Sequence, residues 1–152
     1  MRAMITVAGV ALALVACGGK GGDQPAADTT ASFQPAAPAA TGATHEVAMD
    51  FDGKVGTFTP TELTIKSGDV VNFVVKSGPP HNVAFVPDSI PAGAAALMNL
   101  RMTETMAPLV GPMKIGIGES YSISFEGAPA GEYRYFCTPH VPFGMHGKII
   151  VQ

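Results

Sequence analysis

From His45 onward the chain alternates apolar and polar residues in short runs that are separated by turn-forming residues. Apolar side chains at every second position place one face of a β-strand against a core. Clusters of Gly, Pro, Asp and Ser between such runs indicate turns. The pattern predicts strands at residues 46–51, 62–66, 70–76, 81–86, 120–125, 132–137 and 147–152.

Seven to eight short strands with one short helical or irregular segment predict an all-β Greek-key sandwich or barrel. The helical candidate contains Met98, Met102 and Met106, which are four residues apart and would lie on one face of a helix. Thioethers in such a row can bind Cu(I), whereas the leucines interleaved with them favour packing in the core. We expect core packing, and the copper-binding row is the alternative.

The N-terminal residues 1–16 have the features of an export signal. Arg2 precedes an uncharged run at residues 3–16, which is shorter than the roughly 20 residues of a membrane span and fits a signal-peptide core. Leu14-Val15-Ala16-Cys17 resembles the lipobox of bacterial lipoproteins, which implies that Cys17 is the lipidated first residue of the mature chain. An ordinary signal peptide that ends near a cysteine is the alternative.

Residues 17–44 are predicted to be the lipidated cysteine followed by a flexible tether. This segment is rich in Gly, Ala, Pro and Thr, and Phe33 is its one large apolar side chain. Such a composition cannot bury enough surface to offset the entropy lost on ordering, and a coil of this length spans roughly 30 Å. We therefore place a folded domain at 45–152, on the periplasmic side of the cell envelope. Gly18 after the cysteine favours the outer membrane over the inner membrane by the same lipoprotein resemblance.

A second cysteine, Cys137, has no intramolecular partner if Cys17 carries lipid. Exported proteins usually pair their cysteines or lack them, so this thiol should be protected. His140 and Met145 follow it within nine positions, in a loop that also contains two prolines. A thiolate, imidazoles and a thioether together select copper, and two His with one Cys and a weak axial Met are typical of a blue-copper site.

The second imidazole of such a site is best supplied by His81, which follows Pro79-Pro80 at the start of a predicted strand. His45 stands at the junction with the tether, and His146 lies directly after the loop. We expect both of these to be solvated surface residues.

Three segments, at residues 80–85, 90–93 and 133–148, resemble the plastocyanins, a family of cupredoxins. The likeness covers essentially all of residues 45–152. The spacing Cys-x2-His-x4-Met is the loop length of that family.

The resemblance implies the cupredoxin fold and a single type 1 copper ion held by His81, Cys137, His140 and Met145. It also implies that Asn82 hydrogen-bonds the ligand loop near Thr138 and so orients the ligands.

A copper ion with three strong ligands and a weak fourth has no vacant position for a substrate, so we expect no enzymatic activity. The resemblance implies a monomeric carrier that passes single electrons between a donor and an acceptor redox protein. These partners would dock transiently near His140, on an apolar patch formed by residues 141–144. Copper delivery or storage in the cell envelope is the alternative function.

Composition narrows the choice of partners. The net charge is −3 and the charged fraction is 14%, so no basic face indicates binding to nucleic acid. The predicted domain holds 7 Lys and Arg against 10 Asp and Glu, which also gives a net charge of −3, so electrostatic steering should be modest.

Two positions depart from the plastocyanin pattern. Phe136 replaces the Tyr of plastocyanins, and residues 86–89 lack the acidic run of the plant proteins. Both photosynthetic and respiratory partners therefore stay open.

Overall fold

The computed structural model describes residues 42–152, in which eight strands form two four-stranded sheets. The strands are β1 Thr44–Phe51, β2 Gly56–Thr59, β3 Glu62–Ile65, β4 Val70–Val75, β5 Ala84–Phe85, β6 Ser120–Ser124, β7 Gly131–Phe136 and β8 His146–Val151. One α-helix, α1 Ala94–Arg101, and two 3-10 helices, Pro87–Ser89 and Thr138–Phe143, connect them.

The strand order is β2-β1-β4-β6 in the first sheet and β3-β8-β7-β5 in the second. The pairs β1–β4 and β3–β8 are parallel, and the other pairs are antiparallel. Chain crossings between the sheets bring distant segments side by side. The predicted all-β sandwich is confirmed.

The core lies between the inner faces of the two sheets and is rich in aromatic rings. Buried and exposed positions alternate along β2 and β6, as expected for strands with one face on a core. The Tyr135 ring meets Phe58 and Phe73 edge to face, with centroids 4.8 and 5.3 Å apart. Each such pair contributes about 0.5–1.5 kcal/mol beyond its buried area.

Two strand predictions need correction. β2 was not predicted, and the strand expected at 81–86 is limited to β5. His81 instead makes an isolated bridge with Lys114, in which each backbone N–H donates to the other residue's carbonyl. The backbone of residues 81–83 therefore pairs with the irregular segment that contains Lys114 and not with a strand.

Core packing of the methionines is confirmed for Met98 and Met102 but not for Met106, and the three residues do not share one helix face. α1 ends at Arg101, because the backbone becomes extended at Met102. Met98 and Met102 are 0% and 4% exposed within the core, whereas Met106 is 55% exposed. No helix among residues 42–152 is long and apolar enough to cross a membrane.

The second sheet positions the candidate ligands at one end of the fold. β7 and β8 form a hairpin whose connecting loop is 137–145. β5 pairs with the end of β7, with Ala84 opposite Phe136. Residues 81–83, which precede β5, are therefore brought alongside Cys137, the residue that directly follows β7.

The buried carboxylate of Asp69 fastens the start of the domain. It accepts hydrogen bonds from the backbone N–H groups of Ala43 and Lys66, at 2.9 and 3.0 Å, and lies 2.8 Å from His45 Nε2. The Lys66 N–H and the His45 side chain hold the pKa of Asp69 below its usual value. The ionised form of Asp69 is therefore the form that stabilises the fold.

We expect Asp69→Asn to lower the free energy of unfolding by about 2 kcal/mol at neutral pH, because charge-assisted hydrogen bonds are lost. A carboxyl group whose pKa is lower in the folded state stabilises the fold at pH values above its unfolded pKa of about 3.9. This contribution disappears as the pH falls through the pKa of the folded state. The difference in the free energy of unfolding between the variant and the wild type should therefore shrink as the pH is lowered. Urea titrations from pH 7 to pH 3 measure it, with the exposed Asp88→Asn as the control. A gap that is constant across this range would contradict the assignment.

Candidate metal centre

Three buried side chains meet at the end of the second sheet. Cys137 Sγ lies 3.6 Å from His81 Nδ1 and 3.5 Å from His140 Nδ1. The three donor atoms all lie within 4.8 Å of one another. Exposure is 0% for His81 and Cys137 and 5% for His140. Three soft or borderline donors thus surround one point that is screened from solvent.

The spacing of these atoms fits a single metal ion. A first-row metal at about 2.0 Å from nitrogen and about 2.3 Å from sulfur, with bond angles of about 110–120°, separates those two atoms by about 3.5–3.7 Å. The two sulfur–nitrogen distances agree with this value. Thiolate with two imidazoles selects copper or zinc over hard cations such as magnesium or calcium.

The His81 imidazole is held in the tautomer that a metal requires. Its Nε2 lies 2.7 Å from the carbonyl oxygen of Ser77. Because a carbonyl can only accept a hydrogen bond, Nε2 carries the proton and Nδ1 presents its lone pair to the cluster. Such a contact fixes both the orientation and the basicity of a ligand. Sequence reasoning missed Ser77, because a backbone carbonyl leaves no mark on residue identity.

The loop that carries His140 is closed by backbone hydrogen bonds. The Cys137 N–H donates to the Met145 carbonyl at 3.1 Å, and the Met145 N–H donates to the His140 carbonyl at 3.2 Å. Gly144 permits this turn because its φ of 74° is in the left-handed region. Met145 is 1% exposed. The structure thus places the buried methionine at the far end of the same closed loop.

Asn82 joins the two segments that supply the cluster. Its amide oxygen accepts the Thr138 backbone N–H at 2.8 Å, and its amide nitrogen donates to Thr138 Oγ1 at 3.1 Å. Asn82 is 1% exposed, and buried polar pairs of this kind restrict a structure to one arrangement. Residues next to His81 and next to Cys137 are thereby fixed to each other.

Burial sets the charge of the cluster. It raises the pKa of the Cys137 thiol, an effect opposed by the backbone N–H groups of Asn82 and His140. Burial, followed by the neighbouring His81, lowers the pKa of His140. The neutral imidazole has the free lone pair that a metal needs. A cation can displace the thiol proton, so metal binding releases a proton and offsets the cost of a buried thiolate.

The remaining candidate residues lie away from the cluster or outside the described residues. His45 is paired with Asp69 and is half-buried rather than fully solvated, while His146 is exposed as expected. Residues 1–16, Cys17 as the predicted lipidation site, and residues 18–41 of the predicted tether lie outside the described part of the chain. The predicted boundary at 44/45 needs a small correction, because Thr44 already belongs to β1. Within that part, Cys137 is a free cysteine and is buried.

The surface next to His140 is apolar. Val141 and Phe143 are 52% and 40% exposed, and both belong to the same 3-10 helix as His140. Phe136 is half-buried on the opposite side of β7 from Tyr135. One side chain of the cluster therefore borders an exposed apolar patch, a feature typical of surfaces that contact other proteins.

Comparison with known proteins identifies the family. Residues 45–152 match the family model of copper binding proteins, plastocyanin/azurin family. The chain is 47% identical over 95 residues to chloroplastic plastocyanin of Chlamydomonas reinhardtii, covering 62% of this chain and 58% of that protein. It is 40% identical over 106 residues to plastocyanin of Scenedesmus fuscus, covering 70% of this chain and 97% of that protein.

A further relative and a solved structure agree with these matches. Plastocyanin of Nostoc punctiforme is 36% identical over 121 residues, covering 80% of this chain and 83% of that protein. The oxidised plastocyanin of Dryopteris crassirhizoma superposes with a TM-score of 0.52 at 26% identity, covering 71% of this chain and all of that one. With the buried His-Cys-His cluster, these matches show that the chain belongs to the plastocyanin/azurin family of copper-binding proteins.

Proposed function

We propose that this protein carries single electrons through one type 1 copper ion held by His81, Cys137, His140 and Met145. The observation that supports this most directly is the pair of imidazole Nδ1 atoms at 3.6 and 3.5 Å from one buried thiol. When bound there, copper supplies one-electron chemistry by alternating between its Cu(I) and Cu(II) states.

The residues around the site favour rapid exchange of an electron over bond-making chemistry. Ser77 and Asn82 hold their partners by hydrogen bonds that do not involve the metal. Ligands fixed in this way need little rearrangement when the charge of the site changes. The four proposed ligands are at most 5% exposed, so a substrate in solution would have little access to the metal, which favours a carrier over an enzyme.

His140 is the proposed point of electron entry and exit. Its 5% exposure contrasts with the fully buried His81, and the exposed Val141 and Phe143 belong to the same 3-10 helix. Transient redox complexes bury small areas, and an apolar rim of this kind fits such contacts. We therefore propose a donor and an acceptor redox protein that dock here in turn.

Electrostatic attraction should contribute little to docking. Of the acidic side chains, Glu62 and Glu132 are both within 3.2 Å of Lys148 Nζ, and Glu132 also pairs with Arg134. These ion pairs neutralise the charges of the side chains involved, and the net charge of the chain is only −3, so electrostatic steering of a partner should be modest. The structure thus supports a partner recognised mainly by shape and apolar contact.

Copper delivery or storage has weaker support. Delivery of Cu(I) by a row of thioethers would require these side chains to be accessible. Met98 and Met102 are instead buried in the core. A flexible thioether inside a core fills space between strands. An electron carrier is therefore the function we favour.

The location proposed for this carrier is the periplasmic side of the cell envelope, on the outer membrane in preference to the inner membrane, with Cys17 as the lipid anchor and residues 17–44 as the tether. The support is the sequence Leu14-Val15-Ala16-Cys17 at the end of an uncharged run of signal-peptide length. A tether of this length would let the copper domain reach partners near the membrane.

We expect Cys137→Ser to abolish the intense blue absorption of the oxidised protein, because the hydroxyl cannot replace a thiolate bonded to copper. Visible spectra and copper analysis of the oxidised protein measure this. His146→Gln, an exposed neighbour of the loop, is the matched control and should stay blue. A blue Cys137→Ser protein would refute the ligand assignment.

We expect Met145→Leu to retain copper and colour with a higher reduction potential. Loss of a weak axial donor disfavours Cu(II) more than Cu(I), and about 59 mV corresponds to a tenfold change in their relative affinities. Voltammetry would show a rise of tens of millivolts. The exposed Met106→Leu should leave the potential unchanged, and an equal potential in both variants would count against axial ligation.

We expect Cys17→Ala to move the protein from the membrane to the soluble fraction, because a variant without the thiol cannot be lipidated. Fractionation followed by immunoblotting measures the distribution. Cys137→Ser serves as the control, since it should stay on the membrane. Continued membrane retention of Cys17→Ala would exclude this anchor.

A further inference from the structure

The hairpin formed by β1 and β2 packs directly against the loop that carries His140 and Met145. Phe51, the last residue of β1, stacks on the His140 imidazole with ring centroids 4.2 Å apart and planes at 27°. The same phenyl ring lies 4.9 Å from the ring of Phe143. A side chain from the first strand thus covers the imidazole that lies nearest to solvent.

Gly56 faces Phe51 across the same hairpin and leaves room for the ligand loop. A Cβ atom at Gly56 would lie 2.6 Å from Met145 Cβ and 3.1 Å from His140 Cβ. The first distance is too short for two carbon atoms that are not bonded. The loop therefore approaches the hairpin as closely as a bare glycine backbone allows.

Ser77 connects the hairpin to the other imidazole. Its hydroxyl accepts the Phe51 backbone N–H at 3.2 Å and donates to Asp50 at 3.0 Å. Its carbonyl accepts the proton of His81 Nε2 at 2.7 Å. Phe51 is consequently linked by one residue to His81 and by ring stacking to His140.

We propose that Phe51 and Gly56 are positioning residues of the copper centre, and this inference rests on the ligand set of the proposed function. The stacked ring holds the His140 imidazole in its ligating orientation and hinders its rotation away from the cluster. The bare backbone of Gly56 lets Met145 and His140 sit at the depth that the cluster requires. The hairpin thereby slows release of copper and sets the reduction potential.

The first experiment measures the rate at which the reduced, copper-loaded protein loses Cu(I) to bicinchoninate. Removal of an aromatic stack should speed the loss about two- to tenfold in Phe51→Leu. Phe51→Tyr keeps the ring and should release copper at the wild-type rate. Val55→Ala, an exposed apolar position in the turn of the same hairpin, is the matched control and should also match wild type.

Two results would overturn the role of Phe51. One is an unchanged rate in Phe51→Leu. The other is an equal acceleration in Phe51→Leu and Phe51→Tyr, which would assign the effect to general packing. Thermal unfolding of each copper-loaded variant is recorded alongside, and faster copper loss that simply tracks a lower unfolding temperature would also count against the stack.

Gly56→Ala tests the second half of the inference. The added methyl group should displace Met145 and change both the reduction potential and the visible spectrum. Gly116→Ala is the control, because the atoms nearest to a Cβ there belong to the side chain of Glu119, at 3.3 Å or more. An unchanged potential and spectrum in Gly56→Ala would overturn this role.

The outcome for Cys137→Ser separates failure of this inference from failure of the proposed function. If that variant loses its colour while the Phe51 and Gly56 variants match wild type, the ligand set stands and the positioning role falls. If Cys137→Ser stays blue, the ligand set itself is wrong.

Discussion

The reciprocal hydrogen bonds between Asn82 and Thr138 are the constraint on which the metal centre depends. The two residues are 56 positions apart in the chain. Pairing of β5 with β7 brings their segments together but fixes only the register of the two strands. An amide side chain can accept a backbone N–H and donate to a hydroxyl at once, so it fixes both distance and orientation. Because Asn82 follows His81 and Thr138 follows Cys137, this pair sets where imidazole and thiol meet.

Burial of that meeting point carries a cost that the surrounding groups reduce. Polar groups without partners are expensive to remove from water, and here a thiol and two imidazoles are at most 5% exposed. The Ser77 carbonyl accepts a hydrogen bond from Nε2 of His81. Two backbone N–H groups stabilise the ionised form of the Cys137 thiol. A bound cation would replace the thiol proton of Cys137 and would be held by the thiolate and by the Nδ1 lone pairs of His81 and His140. The aromatic core around Tyr135 adds packing that involves none of these groups.

The features that could be predicted from the sequence are those encoded in consecutive residues. The loop 137–145 places three donors within nine positions, and alternation located the long strands to within a residue or two. Contacts made by backbone atoms across the fold could not be predicted in this way. The Ser77 carbonyl and the Lys114 bridge leave no pattern in side-chain identity. β2 has one large apolar residue, Phe58, so its sequence shows no alternation. The end of α1 at Arg101 follows from the extended backbone at Met102, which the regular spacing of the methionines does not reveal.

Protection and access impose opposite demands on His140. Full burial would shield the centre but separate it from a partner, whereas wide exposure would admit water and loosen the ligand. At 5% exposure, with Phe51 stacked on its ring, the imidazole stays nearly dry while Val141 and Phe143 remain open to solvent. Apolar surface left in water favours association, so a partner that covers this rim also completes the shielding of His140. On this view docking and protection of the proposed centre depend on the same apolar surface, and each partner supplies the shielding only while bound.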